Sequence, residues 1–116
     1  MSKLYMGFDA GTQSVKVAVY DEQFNCLTSH SLPTHLHYPR PGWVEMSADE
    51  FLEITVKSMA ACAQSLREMG RDPKDVCAVM GDGIICGIVG VNAEGDAVTP
   101  YINYLDSRTT LEAIGR

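Results

Sequence analysis

The sequence has few positive charges and no apolar run approaching the length needed to cross a bilayer. Nine lysines and arginines stand against 15 aspartates and glutamates, which gives a net charge of −6 at pH 7. This excess of negative charge argues against nucleic acid and against an anionic membrane as partners. At 116 residues the chain has room for one domain with a core of its own.

The four cysteines include no C-x-x-C pair, so neither a zinc site nor a disulfide framework is favoured. Cys62 falls on a predicted helical face and Cys77 in a predicted buried strand, and both are expected to be free thiols in a reducing compartment. Residues 1–3 lead directly into a strand without a signal peptide, so the sequence predicts a cytoplasmic protein. Three histidines lack further ligands at metal-binding spacing and are predicted to be surface or packing residues.

The most informative stretch is residues 4–21, which predicts two strands joined by a polar turn. Alternation of Val15, Val17 and Val19 with other residues is typical of a half-buried strand. The turn, DAGTQS at residues 9–14, offers hydroxyl and amide groups beside backbone N–H donors, and Gly11 permits positive φ and close approach of a ligand. Such a turn can cradle phosphate, and a carboxylate at the strand end can hold hydrated magnesium. A β-hairpin with a polar tip fits the same residues.

The rest of the chain predicts a third strand at residues 26–35, an irregular segment at 39–45, a helix, a buried strand and a hairpin. Ser47 and Glu50 form a capping-box pattern at the helix start, and Gly70 is placed to end the helix. The apolar face of the helix is predicted to comprise Leu52, Val56, Met59, Ala63 and Leu66. Residues 76–80 predict a buried strand that returns to the same sheet, and residues 87–104 predict the hairpin.

Three segments in order resemble the FGGY family of carbohydrate kinases. They are DAGTQSVK at residues 9–16, GWVEMS at residues 42–47, and residues 79–108 with the ending YLDSR, in which tyrosine replaces the tryptophan usual in the family. The resemblance implies an α/β, ribonuclease-H-like (actin-like ATPase) fold. We expect a mixed sheet with an antiparallel β-meander, one long crossover helix, a further strand and a hairpin.

The resemblance also implies an ATP-dependent kinase that uses Mg²⁺ and phosphorylates a hydroxyl of a sugar or polyol. Asp9 would organise the metal ion through water. The phosphate-binding residues would be Gly11, Thr12, Gln13 and Ser14. Lys16 would add positive potential, and a solvated strand residue is an equally weighted interpretation of that lysine.

The resemblance places substrate contacts in the loop after the buried strand and in the YLDSR ending. Candidates are Asp82, Gly83, Ile85, Cys86, Asp106 and Arg108. Family members that act on xylulose or glycerol carry polar side chains where this chain has residues 84–86, IIC, so we expect a different substrate. An Asp–Arg pair two residues apart is at least as often structural, and that interpretation stays open.

Kinases of this family are roughly four or five times as long, and the aspartate that acts as their catalytic base lies beyond the equivalent of Arg116. The 116 residues are therefore expected to be the N-terminal portion of the first kinase domain, inactive alone, with residues 109–114 starting a helix. Two alternatives remain: another actin-like phosphotransferase or ATPase, and a non-catalytic binding module. A truncated domain would expose sheet edges, which favours homo-oligomers.

Overall fold

The computed structural model describes residues 2–109, which form two compact units. The first unit comprises residues up to 34 together with 53–83, and the second comprises residues 35–52 together with those from 84 onward. The elements in chain order are β1 (Leu4–Ala10), β2 (Ser14–Tyr20), β3 (Cys26–Pro33), β4 (Glu45–Met46), α1 (Ala48–Glu68), a 3₁₀ turn (Pro73–Asp75), β5 (Val76–Gly83) and β6 (Tyr101–Ile102).

The first unit is built on a four-stranded sheet in the order β3-β2-β1-β5. Strands β1, β2 and β3 form an antiparallel meander, and β5 pairs with β1 in parallel after the chain has passed through α1. Leu4 and the three alternating valines of β2 are fully buried. The predicted mixed sheet and the predicted return of the chain to it are therefore confirmed, although the third strand ends two residues earlier than predicted.

Both ends of α1 lie where the capping signals predict. The hydroxyl of Ser47 accepts a hydrogen bond of 3.2 Å from the Glu50 N–H. At the other end Gly70 adopts φ +77°, while Arg71 N–H donates to Leu66 O and Gly70 N–H to Arg67 O, at 2.8 and 3.0 Å. These two bonds form a Schellman motif, which only a residue tolerant of positive φ can complete without strain.

The buried face of α1 differs from the predicted one. Leu66 is buried as predicted, and Met59 and Ala63 are half-buried. Leu52 and Val56, however, are 64% and 54% exposed, and Ser58 and Cys62 are buried instead. The Cys62 thiol lies 3.5 Å from the carbonyl oxygen of Val17 on β2. Burial along a helix follows from which elements pack against each side of it, and spacing in the sequence does not report this.

Strand β5 is exposed, so the prediction of a buried strand is wrong for the described part of the chain. Val79 and Met80 are 53% and 80% exposed, and Cys77 is also exposed. The physical reason is position, because β5 ends the sheet and only β1 pairs with it among residues 2–109. An uninterrupted apolar strand indicates burial only when other elements cover both of its faces.

The second unit contains a short two-stranded sheet in which β4 pairs with β6. The predicted hairpin is present: Val98 N–H donates to Gly90 O at 2.9 Å, and Asn92 N–H to Asp96 O at 3.0 Å. Strand β4 includes the last residue of the segment predicted to be irregular.

Apart from Thr109, the helix predicted over residues 109–114 lies outside the described residues. In the described range, no helix is both long and apolar enough to span a membrane.

At one position of β5 only glycine leaves room for the side chain on the neighbouring strand. Gly81 lies opposite Phe8 in the register of β1 and β5, and a Cβ at Gly81 would overlap the Phe8 ring. We predict that Gly81→Ala lowers the free energy of unfolding by about 1–3 kcal/mol, because the ring or strand must shift. Gly83→Ala is the matched control on the same strand, since its Cβ would lie 3.6 Å from the nearest heavy atom. Urea unfolding followed by circular dichroism measures both, and equal stabilities of the two variants would contradict the prediction.

Candidate phosphate-binding turn and substrate groove

The polar turn between β1 and β2 is held closed by its own backbone. Gly11 N–H donates a hydrogen bond of 3.0 Å to the carbonyl oxygen of Ser14. Gly11 does not use the positive φ that glycine permits. A Cβ at this position would lie 3.2 Å from the Ser14 oxygen, and glycine is therefore favoured by close approach within the turn.

The carbonyl oxygens of the turn are occupied, whereas two of its N–H groups are not. Thr34, the residue after β3, donates from its N–H to Gln13 O at 2.9 Å and from its hydroxyl to Thr12 O. Among residues 2–109, the N–H groups of Thr12 and Gln13 donate to no carbonyl or side chain. Unpaired backbone donors are rare unless water or a ligand accepts their hydrogen bonds, so the turn can bind an anion.

Charged side chains cross the sheet in a single row beside this turn. Asp9 lies opposite Lys16 on β2 and opposite Asp82 on β5. All three line a cavity of about 670 Å³ in the first unit. The pKa of Asp82 is raised, because its carboxyl group hydrogen-bonds to that of Asp9 and because the two negative charges repel. This row offers carboxylate oxygens to a cation and an ammonium group to an anion.

Arg108 organises the second unit. Its guanidinium lies 4.0 Å from the centroid of the Trp43 ring and forms a 2.8 Å ion pair with Glu45 and 2.9 Å bonds with Asp106. Asp106 also accepts a 2.7 Å hydrogen bond from Val44 N–H. The hydrogen bond from Arg108 is the main cause that lowers the pKa of Asp106 to about 2, with a smaller contribution from Val44 N–H. The contacts of Asp106 and Arg108 therefore join residues 43–45 to residues 106–108, which are distant in sequence.

A groove of about 340 Å³ opens beside this pair in the second unit. It brings together three of the predicted substrate residues, Cys86, Asp106 and Arg108, and adds Asn103 and Tyr104. The backbone of Cys86 has φ +60°, an uncommon conformation that turns the chain sharply at the groove.

The remaining predicted substrate residues lie elsewhere. Ile85 is 77% exposed and does not line the groove, while Asp82 and Gly83 belong to the first unit. The structure thus separates the predicted substrate residues into two groups.

The histidines have partners of their own. His30 hydrogen-bonds to Ser65 at 2.8 Å, and His35 pairs with Glu50 at the start of α1. No group of three or more histidine, cysteine, aspartate or glutamate residues is placed to hold a metal ion within residues 2–109. The charged row described above contains only two carboxylates, Asp9 and Asp82, and such a group requires three residues.

Sequence reasoning did not identify Thr34, Glu45 or Asn103. Thr34 contacts the turn from a distant strand, and no local pattern indicates this. Glu45 lies within GWVEMS, so the motif contained the signal, but its partner Arg108 is 63 residues away. Asn103 is 3% exposed, and its side-chain oxygen accepts a 2.9 Å bond from Leu105 N–H beside the groove.

The fold is one that solved carbohydrate kinase structures share. A xylulose kinase from Rhodospirillum rubrum matches with a TM-score of 0.82 at 21% identity, over 95% of this chain and 22% of that one. A glycerol kinase from Plasmodium falciparum, solved with ADP, matches with a TM-score of 0.72 at 22% identity, over 92% of this chain and 21% of that one.

The sequence itself identifies the family. Residues 4–114 match the N-terminal domain of the FGGY family of carbohydrate kinases, and the chain belongs to that family. The predicted family and fold class are confirmed.

Curated relatives are similar along most of this chain. A glycerol kinase from Halothermothrix orenii is 32% identical over 80 residues, 68% of this chain and 15% of the relative. A xylulose kinase from Staphylococcus epidermidis strain RP62A is 28% identical over 112 residues, 97% of this chain and 22% of the relative. The chain therefore spans about a fifth or less of the length of these two relatives.

The low pKa of Asp106 gives a direct test of the Arg108 contacts. We predict that Arg108→Gln raises the pKa of Asp106 from about 2 toward the ordinary value of 3.8, because its principal hydrogen-bond donor is weakened and the positive charge removed. The folded-state pKa is depressed, so the pair stabilises the fold above the unfolded pKa and loses this contribution as pH falls from about 4 to about 2.

Arg40→Gln is the matched control, because Arg40 also lies over Trp43, 4.9 Å from the ring centroid. Carboxyl-detected NMR titration measures the pKa in each variant. A pKa of Asp106 that is the same in Arg108→Gln as in the unmodified protein would show that other groups depress it.

Proposed function

We propose that this chain is the N-terminal portion of an ATP-dependent kinase that phosphorylates a hydroxyl of a sugar or polyol. The observation that carries the proposal is the turn after β1, whose Thr12 and Gln13 N–H groups have no acceptor within residues 2–109. Membership of the FGGY family supports the same activity. Relatives and solved structures similar to this chain are named as glycerol, xylulose and gluconate kinases.

The turn would bind phosphate oxygens of the nucleotide. The N–H groups of Thr12 and Gln13 would donate hydrogen bonds to these oxygens, and Gly11 and Ser14 would keep the turn narrow. Lys16 lies opposite Asp9 and would add positive potential at the same edge. Phosphoryl transfer depends mainly on positioning and charge neutralisation, and the turn with its neighbouring charged side chains can contribute both.

The residues present also fit a magnesium ion. Asp9 is exposed at the end of β1, and hard oxygen ligands with retained water are what Mg²⁺ prefers. Asp9 would hold the hydrated ion through its water, and the ion would neutralise charge on the phosphates. Asp82 lies opposite Asp9 in the register of β1 and β5, so its carboxyl group would offer a second oxygen ligand beside the first.

The groove of the second unit would form part of the wall for the acceptor. Asn103 is buried and holds the Leu105 backbone, and Tyr104 offers a hydroxyl, whereas Cys86 lacks the hydrogen-bonding capacity of the polar residues in xylulose- and glycerol-specific members. Asp106 and Arg108 already bind each other, which favours a structural role for this pair. The acceptor is therefore expected to be neither xylulose nor glycerol.

The proposed compartment is the cytoplasm, because ATP and a pool of sugar substrates are available there and all four cysteines are free in the structure. Small molecules, ATP and a sugar or polyol, are the proposed partners. The net charge of −6 argues against nucleic acid as a partner.

We predict that Asp9→Asn in the full-length kinase lowers kcat by at least about 100-fold, because the carboxylate that organises the metal ion is replaced by a neutral amide. Asp49→Asn, an exposed carboxylate in the first turn of α1, is the control and should leave kcat within about twofold. A coupled ADP-release assay over pentoses, hexoses and polyols provides the measurement. Turnover of Asp9→Asn near that of the unmodified enzyme would remove Asp9 from the mechanism.

We also predict that residues 1–116 alone phosphorylate no sugar and bind Mg-ATP with Kd weaker than about 1 mM. One phosphate turn leaves most of the nucleotide surface in water, and phosphoryl transfer also needs the acceptor hydroxyl and its base held in the same cleft. Calorimetric titration with Mg-ATP and the same coupled assay test this. Micromolar binding, or any turnover abolished by Asp9→Asn, would contradict the prediction.

A further inference from the structure

Thr34 contacts the phosphate-binding turn from outside it. Its backbone N–H donates to Gln13 O at 2.9 Å, and its hydroxyl donates to Thr12 O. Thr34 is half-buried and follows the last residue of β3, so the anchor comes from a strand that is not adjacent to β1. With the bond from Gly11 N–H to Ser14 O, three successive carbonyls of the turn are paired within the protein.

The hydrogen bond to the Thr12 carbonyl also fixes the direction of the Gln13 N–H group. The carbonyl of Thr12 and the N–H of Gln13 belong to one peptide plane and point in opposite directions across it. The Thr34 hydroxyl fixes the carbonyl, so it also turns the Gln13 N–H away from Thr34. That N–H group has no acceptor among the described residues. Orientation of an exposed donor therefore depends on a single side-chain hydroxyl.

We propose that Thr34 is a positioning residue for nucleotide phosphate: its hydroxyl holds the turn in the conformation that presents the Gln13 N–H to a phosphate oxygen. This inference rests on the proposed function, since it concerns the same turn. A donor that is already oriented does not have to be reordered when the anion binds, so the free-energy cost of binding is smaller.

A purely structural role for Thr34 would give a different result. Loss of a hydroxyl that only stabilises the fold lowers the free energy of unfolding and leaves ligand selectivity unchanged. Loss of a positioning hydroxyl weakens binding of the phosphate-bearing ligand and spares binding of the same ligand without phosphate. The comparison of Mg-ADP with adenosine separates the two roles.

The test uses the full-length kinase with two substitutions at this position and one control. Thr34→Val keeps the β-branched shape and the backbone N–H bond but removes the hydroxyl, and Thr34→Ser retains the hydroxyl. Thr28→Val is the matched control, a half-buried threonine on β3 whose hydroxyl has no hydrogen-bond partner among residues 2–109. Calorimetric titration measures the Kd of each variant for Mg-ADP and for adenosine.

We expect Thr34→Val to weaken Mg-ADP binding about 3- to 10-fold, with adenosine binding unchanged, as for the loss of one hydrogen bond. Thr34→Ser should restore most of the affinity, and Thr28→Val should match the unmodified enzyme. Unchanged Mg-ADP affinity in Thr34→Val, equal losses for both ligands, or an equal loss in Thr28→Val would overturn the proposal. If the unmodified enzyme binds Mg-ADP no more tightly than adenosine, the turn does not bind phosphate, and the proposed function fails with it.

Discussion

The central constraint on the first unit is that β1 is paired along both of its edges. Antiparallel pairing with β2 requires a reversal after Ala10, and parallel pairing with β5 places the end of β5 beside the same reversal. Asp9 and Asp82 are brought together by this register alone. The polar turn is therefore fixed at a sheet edge where three charged side chains meet, and the burial of Leu4 and the β2 valines keeps the strands in that register.

The second unit depends on a different interaction. The guanidinium of Arg108 contacts Trp43, Glu45 and Asp106, so one side chain joins the segment before α1 to the segment after the hairpin. The backbone bond from Ser107 N–H to Gly42 O, 2.8 Å long, reinforces this connection. The groove that we propose for the acceptor borders the same cluster, so its shape depends on contacts between residues far apart in sequence.

Local patterns were sufficient to predict elements whose ends are set by neighbouring residues. The Ser47 cap, the Gly70 termination and the alternation in β2 depend on residues within a few positions, and all three were predicted correctly. Family resemblance supplied the fold class and the proposal that the turn after β1 binds phosphate. The exposed face of α1 and the exposure of β5 could not be read from periodicity, because burial depends on which elements pack against each face.

Sequence reasoning missed residues at the sites for a similar reason, because their partners are distant in sequence. Thr34 lies 21 residues beyond Gln13, the residue whose carbonyl it anchors, and Arg108 lies 63 residues beyond its partner Glu45, so only the folded chain brings them together. Two-residue strands such as β4 carry too few positions for an alternating pattern to be recognised. The close approach of Gly11 to the Ser14 oxygen is likewise a property of the folded turn that the sequence does not display.

The claim that the turn after β1 binds nucleotide phosphate through its backbone is tested most directly by amide NMR. Protein with ¹⁵N-labelled threonine and glutamine would be titrated separately with Mg-ADP and with adenosine. The account predicts that the Thr12 and Gln13 amide resonances shift downfield with Mg-ADP and stay in place with adenosine. Saturating Mg-ADP that shifts other amides and leaves these two unchanged would contradict it.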